Sequence, residues 1–401
     1  MLNSRKRRPL EGTEMEQKKQ VSSRLYILAQ CLYWASGCAV VSFAVVYLGE
    51  KGFSQSEAGM ICSAAAALSF LLTSGMSALL DAGRIRSSAL GGAFFGMTAL
   101  SLMLAGLAPD PGFLTAAAYA LSIAALQSAV FFYNKLYADL SFLGFRLDFG
   151  VARGLGSVSF SAASFLIGML VRDRGSRFLP GAAAVLVLLQ LLCVLVLSRL
   201  TGTGADAETR SNTSSGSLLR FLAQNRRFAL FLFGAGLISA VNMTLTTFLI
   251  HITERAGGTP GTLGILNAYM ALIEIPVMLF YSRLRDRVPL RSLAAVGLFC
   301  YCLKILGFTL SVNRVILFSA ATLHALSFGL FTPASVDYVK DFVSRADSAK
   351  GQGLMVSAPI LFSCVTLGVF GALLESAGLA ATLWLFSGVS LLGLILCLFS
   401  V

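Results

Sequence analysis

Twelve runs of about twenty apolar residues recur along this chain of 401 residues, and that repetition leaves little choice of fold. The hydrocarbon core of a bilayer, about 30 Å thick, is crossed by about twenty helical residues. In lipid every backbone donor and acceptor must be satisfied within its own segment, so a run of that length is helical. The runs fall at 25–48, 58–80, 87–108, 113–133, 154–171 and 181–200, then at 228–250, 262–281, 292–311, 315–337, 353–374 and 381–400. Only 12% of the residues are charged, about half the share found in a soluble domain. The sequence predicts an all-α membrane protein with twelve transmembrane helices in two six-helix pseudo-symmetric bundles.

The interval 201–227 is rich in Gly, Ser, Thr and charge and reads as a linker. It separates a bundle at 25–200 from a second at 228–401, with a polar, basic tail at 1–24. That tail has no short apolar core before a small-residue cleavage site, so a cleaved signal peptide is not expected. The net charge of +12 would suggest nucleic acid in a soluble protein. Here the placement of the basic residues explains it. With the N-terminus inside, the tail and inner loops hold 24 of the 31 Lys and Arg and the outer loops six, with Lys304 inside a run. Both termini are therefore expected in the cytoplasm, and no nucleic-acid partner is expected. The eight cysteines all lie within apolar runs, so neither disulfides nor a metal site are indicated. Short loops and the absence of loop cysteines fit a multi-pass protein of a bacterial inner (plasma) membrane.

Polar residues inside the runs carry the functional signal. Glu274 lies within the eighth run, where a charge costs about 2.5–3.5 kcal/mol unless it meets a partner or water. Pro276 follows two residues later and weakens the local backbone hydrogen bonding. His324 lies about nine residues into the tenth run, about 14 Å deep at 1.5 Å per residue. Lys304 sits in the ninth. A carboxylate, an imidazole and an amine on three successive helices are the parts of a proton relay, because histidine titrates near neutral pH. The competing readings are a structural Glu274–Lys304 pair, a Lys304 that snorkels to the outer interface, and a His324 that only bonds neighbouring helices. Candidates for solute contact are Tyr33 and Trp34 in the first run, Asn134 at the end of the fourth, and Arg153 at the start of the fifth. Asn242 in the seventh run and Asn267 and Tyr269 in the eighth complete them. Amides and aromatic faces are the groups that hold ring-bearing solutes.

Two loops repeat one pattern. Ser77, Asp81, Gly83, Arg84 and Arg86 follow the second run, and Ser282, Arg283, Arg285, Asp286, Arg287 and Arg291 follow the eighth. The two aspartates lie 205 residues apart. These loops resemble the signature of the major facilitator superfamily, small-x-x-x-Asp-Arg/Lys-x-Gly-Arg. Ala82 departs from it where the basic residue belongs. Phe149, Gly150, Arg153, Gly156 and Ser157 resemble the Phe/Tyr-Gly-x-x-Arg-x-x-Gly-Ser motif of its proton-symporter branch, which includes lactose-permease-like and nucleoside-symporter-like proteins. Glu274 with Pro276, His324 with Gly329, and the Gly351-Gln352-Gly353 stretch are similar to patterns of that branch. The resemblance implies that Asp81, Arg84, Asp286, Arg287 and Arg291 form inner-face charge pairs that latch the outward-open state. It also implies that Arg153 binds a solute hydroxyl or carboxylate, or a neighbouring acid.

The expectation is a monomeric secondary transporter, not an enzyme, that carries a small-molecule substrate (a sugar, nucleoside or aromatic acid) by proton symport and alternating access. Sodium is the other coupling ion open at this point, and no cofactor is expected. A proton-driven exporter of drugs or metabolites would favour acidic residues in the cores of helices 1, 4 or 5, which the sequence lacks. A sensor with a transporter fold is the alternative of another class. No phosphate-binding loop, His-Glu-x-x-His site or Gly-x-Ser-x-Gly elbow occurs, and the only histidines, His251 and His324, are far apart in sequence.

Overall fold

The computed structural model describes residues 7–81, 87–142, 145, 149–201, 218–344 and 347–400. Twelve helices in it are long and apolar enough to cross a membrane. In the first half these are α1 (Glu16–Ser42), α2 (Gln55–Gly75), α3 (Ala89–Leu107), α4 (Phe113–Ser141), α5 (Gly150–Arg174) and α6 (Leu179–Thr201). The second half holds α7 (Arg226–Thr247), α8 (Pro260–Arg285), α9 (Leu290–Thr309), α10 (Arg314–Phe342), α11 (Lys350–Ser376) and α12 (Gly378–Leu398). The number and positions of the runs are those expected. The ends differ where polar residues extend a helix beyond the apolar core. Helix continues upstream of α1 to Arg7, and the helix of α4 runs on to Phe142, so Asn134 lies inside a helix rather than at its end.

Because the number of spans is even, both chain ends lie on one face, here called the termini face; the other is the far face. Each half packs as a unit, α3 against α4 and α6 in the first and α9 against α10 and α12 in the second. The halves meet along two helix pairs, α2 with α11 and α5 with α8. Small residues make these crossings close. A Cβ at Gly59 would lie 2.7 Å from the carbonyl oxygen of Leu367, and one at Gly371 would lie 2.4 Å from that of Gln55. At the other pair, a Cβ at Gly264 would lie 2.4 Å from the carbonyl oxygen of Ser164. Backbones that approach so closely are typical of helix packing in lipid, where shape and dispersion replace the hydrophobic drive.

Polar contacts reinforce the same end. Ser161 Oγ donates to the carbonyl of Ala268 and Ser164 Oγ to that of Gly264, both at 3.1 Å. His251 meets Gln55 at 2.7 Å, and the Ser56 amide donates to Glu375 at 2.9 Å. Six side-chain hydrogen bonds between the halves lie from the Ser157–Glu274 level to the far face. The described polar contacts between the halves gather toward the far face.

Each half is also tied within itself at the far face. In the first half, Lys51 Nζ donates to the Ala108 carbonyl at 3.3 Å and pairs with Asp110. Arg177 holds Asp110 at 3.0 Å, and Ser176 Oγ donates to Glu50 at 2.5 Å. In the second, Arg255 donates to the carbonyls of Phe308, Thr309 and Ser311 at 2.7, 2.9 and 3.0 Å. Two breaks interrupt the spans. Cys38–Ser42 of α1 is π-helical, a distortion common at functional sites, and α10 breaks at Leu323 into Arg314–Thr322 and His324–Phe342.

Candidate functional site

A cavity of about 290 Å³ lies between the halves. From the first half it is lined by Trp34, Val41 and Ser42 of α1 and by Arg153, Ser157 and Phe160 of α5. The second half supplies Asn242 and Thr246 of α7, Asn267, Met270 and Glu274 of α8, and His324 and Phe328 of α10, among others. The π-helical turn of α1 places Val41 and Ser42 on this lining.

Glu274 is 5% exposed and is held from both halves. Ser157 Oγ donates to its Oε1 at 3.0 Å, and His324 Nε2 lies 3.3 Å from Oε2. Nδ1 of the same imidazole lies 3.0 Å from Lys304 Nζ. Lys304 is fully buried, with Nζ also 4.9 Å from the Tyr301 ring centre. It does not snorkel to an interface; its amine faces inward to His324. The close approach of α10 to α8 depends on Gly329, where a Cβ would lie 3.2 Å from the Glu274 carbonyl oxygen. Phe328 stacks on the imidazole with ring centres 5.3 Å apart and planes within 5°, which fixes the plane of the ring.

This geometry admits two proton placements with a neutral imidazole. In one, the Lys304 ammonium donates to Nδ1 and Nε2–H donates to the ionised Glu274. In the other, a protonated Glu274 donates to Nε2 and Nδ1–H donates to the neutral amine. The two placements differ by one proton, with the ring's nitrogens 3.0 Å from the amine and 3.3 Å from the carboxylate.

Arg153 forms the second polar element. Its guanidinium lies 3.9 Å from the Trp34 ring centre, a cation–π stack on the cavity lining. Its Nη1 is buried with no hydrogen-bond partner, as is the Trp34 Nε1. Gly156 leaves room for the indole, because a Cβ there would lie 2.4 Å from Trp34 Cδ1. Asn267 Nδ2 is likewise buried and without a partner.

Of the residues singled out in the sequence, Trp34, Arg153, Asn242, Asn267, Glu274 and His324 line one cavity, and Lys304 reaches it through His324. Three stand elsewhere. Tyr33 is buried against Tyr133, ring centres 5.3 Å apart. Tyr269 bonds Thr322 at 2.8 Å and packs on Phe318, and Asn134 is exposed on α4 outside the cavity. Ser157 appeared in the sequence as the last residue of the Gly-Ser motif and not as a site candidate; the structure brings it to Glu274. On the termini face, Arg84 and the Asp81 side chain lie outside the described residues. Asp286 ends α8 and forms no ion pair among the described residues, whereas the neighbouring Arg285 binds Asp341 at 3.1 Å. Arg291 lies 5.0 Å from the Phe342 ring centre, and no described ion pair involves Arg287.

The fold matches solved transporters over nearly its full length. It resembles the nucleoside transporter NupG, with a TM-score of 0.77, 18% identity, and 96% of this chain covering 98% of that one. It also resembles the peptide transporter POT, in a mutant form, with a TM-score of 0.71, 14% identity and coverages of 96% and 94%. By sequence, 202 residues are 25% identical to the uncharacterized transporter YwbF of Bacillus subtilis (strain 168). That match spans 49% of this chain and about half, 48%, of the relative. Residues 26–377 match the MFS_1 like family. With that match over most of its length and a twelve-helix fold shared with NupG and POT, the chain belongs to the MFS_1 like family.

Proposed function

We propose that the chain is a proton-coupled symporter that imports a small polar solute by alternating access, with both termini in the cytoplasm. One observation carries the reading. Among the described residues the one carboxylate on the cavity lining, Glu274, is bonded at once to His324 of its own half and to Ser157 of the other half. Its protonation therefore bears on a contact between the two bodies that must part. An ionised carboxylate accepts from Ser157; once protonated, one oxygen turns donor and the charge that strengthened the bond is gone. The proton state of Glu274 and the separation of the halves are linked, and by reciprocity each biases the other. The positive-inside distribution makes the termini face cytoplasmic, so solute that leaves the cavity by that face enters the cell. The nucleoside and peptide transporters that share the fold support a solute of that size.

Glu274→Gln keeps the shape and hydrogen-bonding capacity of the side chain but cannot ionise. In proteoliposomes it is expected to abolish uptake driven by a pH gradient while leaving solute exchange across the membrane measurable. A substituted protein that still accumulates solute against its gradient refutes the assignment.

A further inference from the structure

The space between the halves does not end at the charged cavity. A second chamber of about 190 Å³ adjoins it, lined by Cys62 of α2, Gln127 of α4, Thr246 and Thr247 of α7, and Ser363 and Leu367 of α11, among others. Val41, Met243, Thr246 and Thr247 line both spaces, so the two are neighbours across one wall of α1 and α7. The first follows the α5–α8 seam and carries Arg153, Glu274 and His324. The second follows the α2–α11 seam and has no charged residue on its lining. Its hydroxyls are all of one kind. Thr246 and Thr247 donate to the Met243 carbonyl at 2.8 and 2.9 Å, and Ser363 donates to that of Ile360 at 2.7 Å. Each has spent its proton on its own helix and can only accept from a ligand. Gln127 lies midway along α4 and makes no hydrogen bond among the described residues. An amide at that depth without a protein partner is met by water or by a ligand.

We infer, resting on the transporter reading above, that this chamber is a second subsite for the solute, which takes an uncharged portion bearing hydroxyl or N–H donors, with Gln127 as its specificity-determining side chain. An anionic group would face the lone pairs of three hydroxyls, and an ammonium would find no carboxylate. A hydroxyl suits every polar group present. It donates to Thr246, Thr247 or Ser363, and it both gives a bond to the Gln127 carbonyl and accepts one from its NH₂. Volume argues against a separate ligand. The chamber alone falls below the range for small-molecule sites, about 300–1,000 Å³, whereas together with the adjoining cavity of about 290 Å³ it lies within that range. The solute is therefore a two-part molecule, one part beside Glu274 and the other beside Gln127. The chamber also abuts a seam that must open. Leu367 lines it, and the Leu367 carbonyl oxygen is the atom that a Cβ at Gly59 would meet at 2.7 Å. A solute seated against α4, α7 and α11 touches both halves beside that crossing.

The test measures binding to the purified protein by calorimetry, using ring compounds paired with analogues that lack the donors: uridine with 2′,3′-dideoxyuridine, phenyl β-D-glucopyranoside with 2-phenoxytetrahydropyran, and nicotinamide with N,N-dimethylnicotinamide. At least one donor-bearing compound is expected to bind about tenfold or more tightly than its partner, because the analogue leaves the polar groups of the site unpaired. In a variant that retains Cys62 alone, the same compound should slow N-ethylmaleimide labelling of that thiol, since it covers the chamber lining. Gln127→Leu, close in volume and without hydrogen-bonding groups, is expected to erase the preference, and Ser363→Ala to lower it. Equal binding within every pair, the result for a chamber that holds only water, overturns the subsite. So does a bound compound that leaves Cys62 labelling unchanged, or a preference that folded Gln127→Leu retains. Should Gln127→Leu not fold, an undiminished preference in Ser363→Ala overturns it instead. Uptake separates this outcome from the coupling reading. A solute accumulated on a pH gradient regardless of its donors overturns the subsite and leaves symport standing, whereas donor-dependent binding without accumulation does the reverse.

Discussion

Alanine at Gly264 is expected to push the transporter toward its far-face-open state. The Cβ it adds lies 2.4 Å from the Ser164 carbonyl oxygen and 2.8 Å from the Gly168 Cα. Both are backbone atoms, which cannot rotate aside as a side chain can. Reaching ordinary contact at 3.4 Å requires α5 and α8 to part by about 1 Å. Overpacking of this kind costs about 1–3 kcal/mol, and it is felt only while the far face is shut. The open population should rise about 5–150-fold. All eight cysteines are free thiols, and Cys62 of α2 is 5% exposed, lining a second cavity of about 190 Å³ between the halves. In a variant that retains Cys62 alone, maleimide labelling should accelerate by the same factor. Gly75→Ala serves as the control, because a Cβ there meets nothing within 4 Å. An unchanged labelling rate in folded Gly264→Ala, or an equal rise in the control, would refute the reasoning.

Lys304→Met should be strongly destabilising, by about 3–5 kcal/mol, since it leaves the buried Glu274 carboxylate without the cation across His324. The double variant Lys304→Met/Glu274→Gln should regain most of that loss in denaturant unfolding, and losses that simply add would argue against the relay. At the termini face, we propose that Asp286 belongs to a latch that forms when that face closes. Asp286→Asn should change the transport rate more than solute affinity; an unchanged rate in proteoliposome uptake would remove it from the gate.

The number of spans and the depth of each polar residue were legible because length and hydropathy fix both. Glu274, His324 and Lys304 on successive helices pointed to a relay, and the structure joins them at 3.0 and 3.3 Å. Which way a residue faces was not legible. A membrane helix is apolar on its lipid side and its packed side alike, so no stripe tells the two apart. Tyr33 and Trp34 are neighbours in sequence, yet one turns into the α4 contact and the other to the cavity. Asn134 and Tyr269 likewise stand outside the lining of that cavity. The Trp34–Arg153 stack brings α1 to α5 over a gap left by Gly156, a contact set by packing rather than by any spacing in the chain.

Lys51 and Arg255 come 204 positions apart, each just past the opening span of its half, and each gathers carbonyls or an acid from the loops of that half alone. Neither reaches across to the other half. When the far face separates, the helix ends on each side should travel together like two closed fists, their knuckles kept in order by these basic residues. What yields is the thin seam of serine hydroxyls and glycine backbones between them, so a substitution in either clasp should loosen one fist rather than unlock the pair.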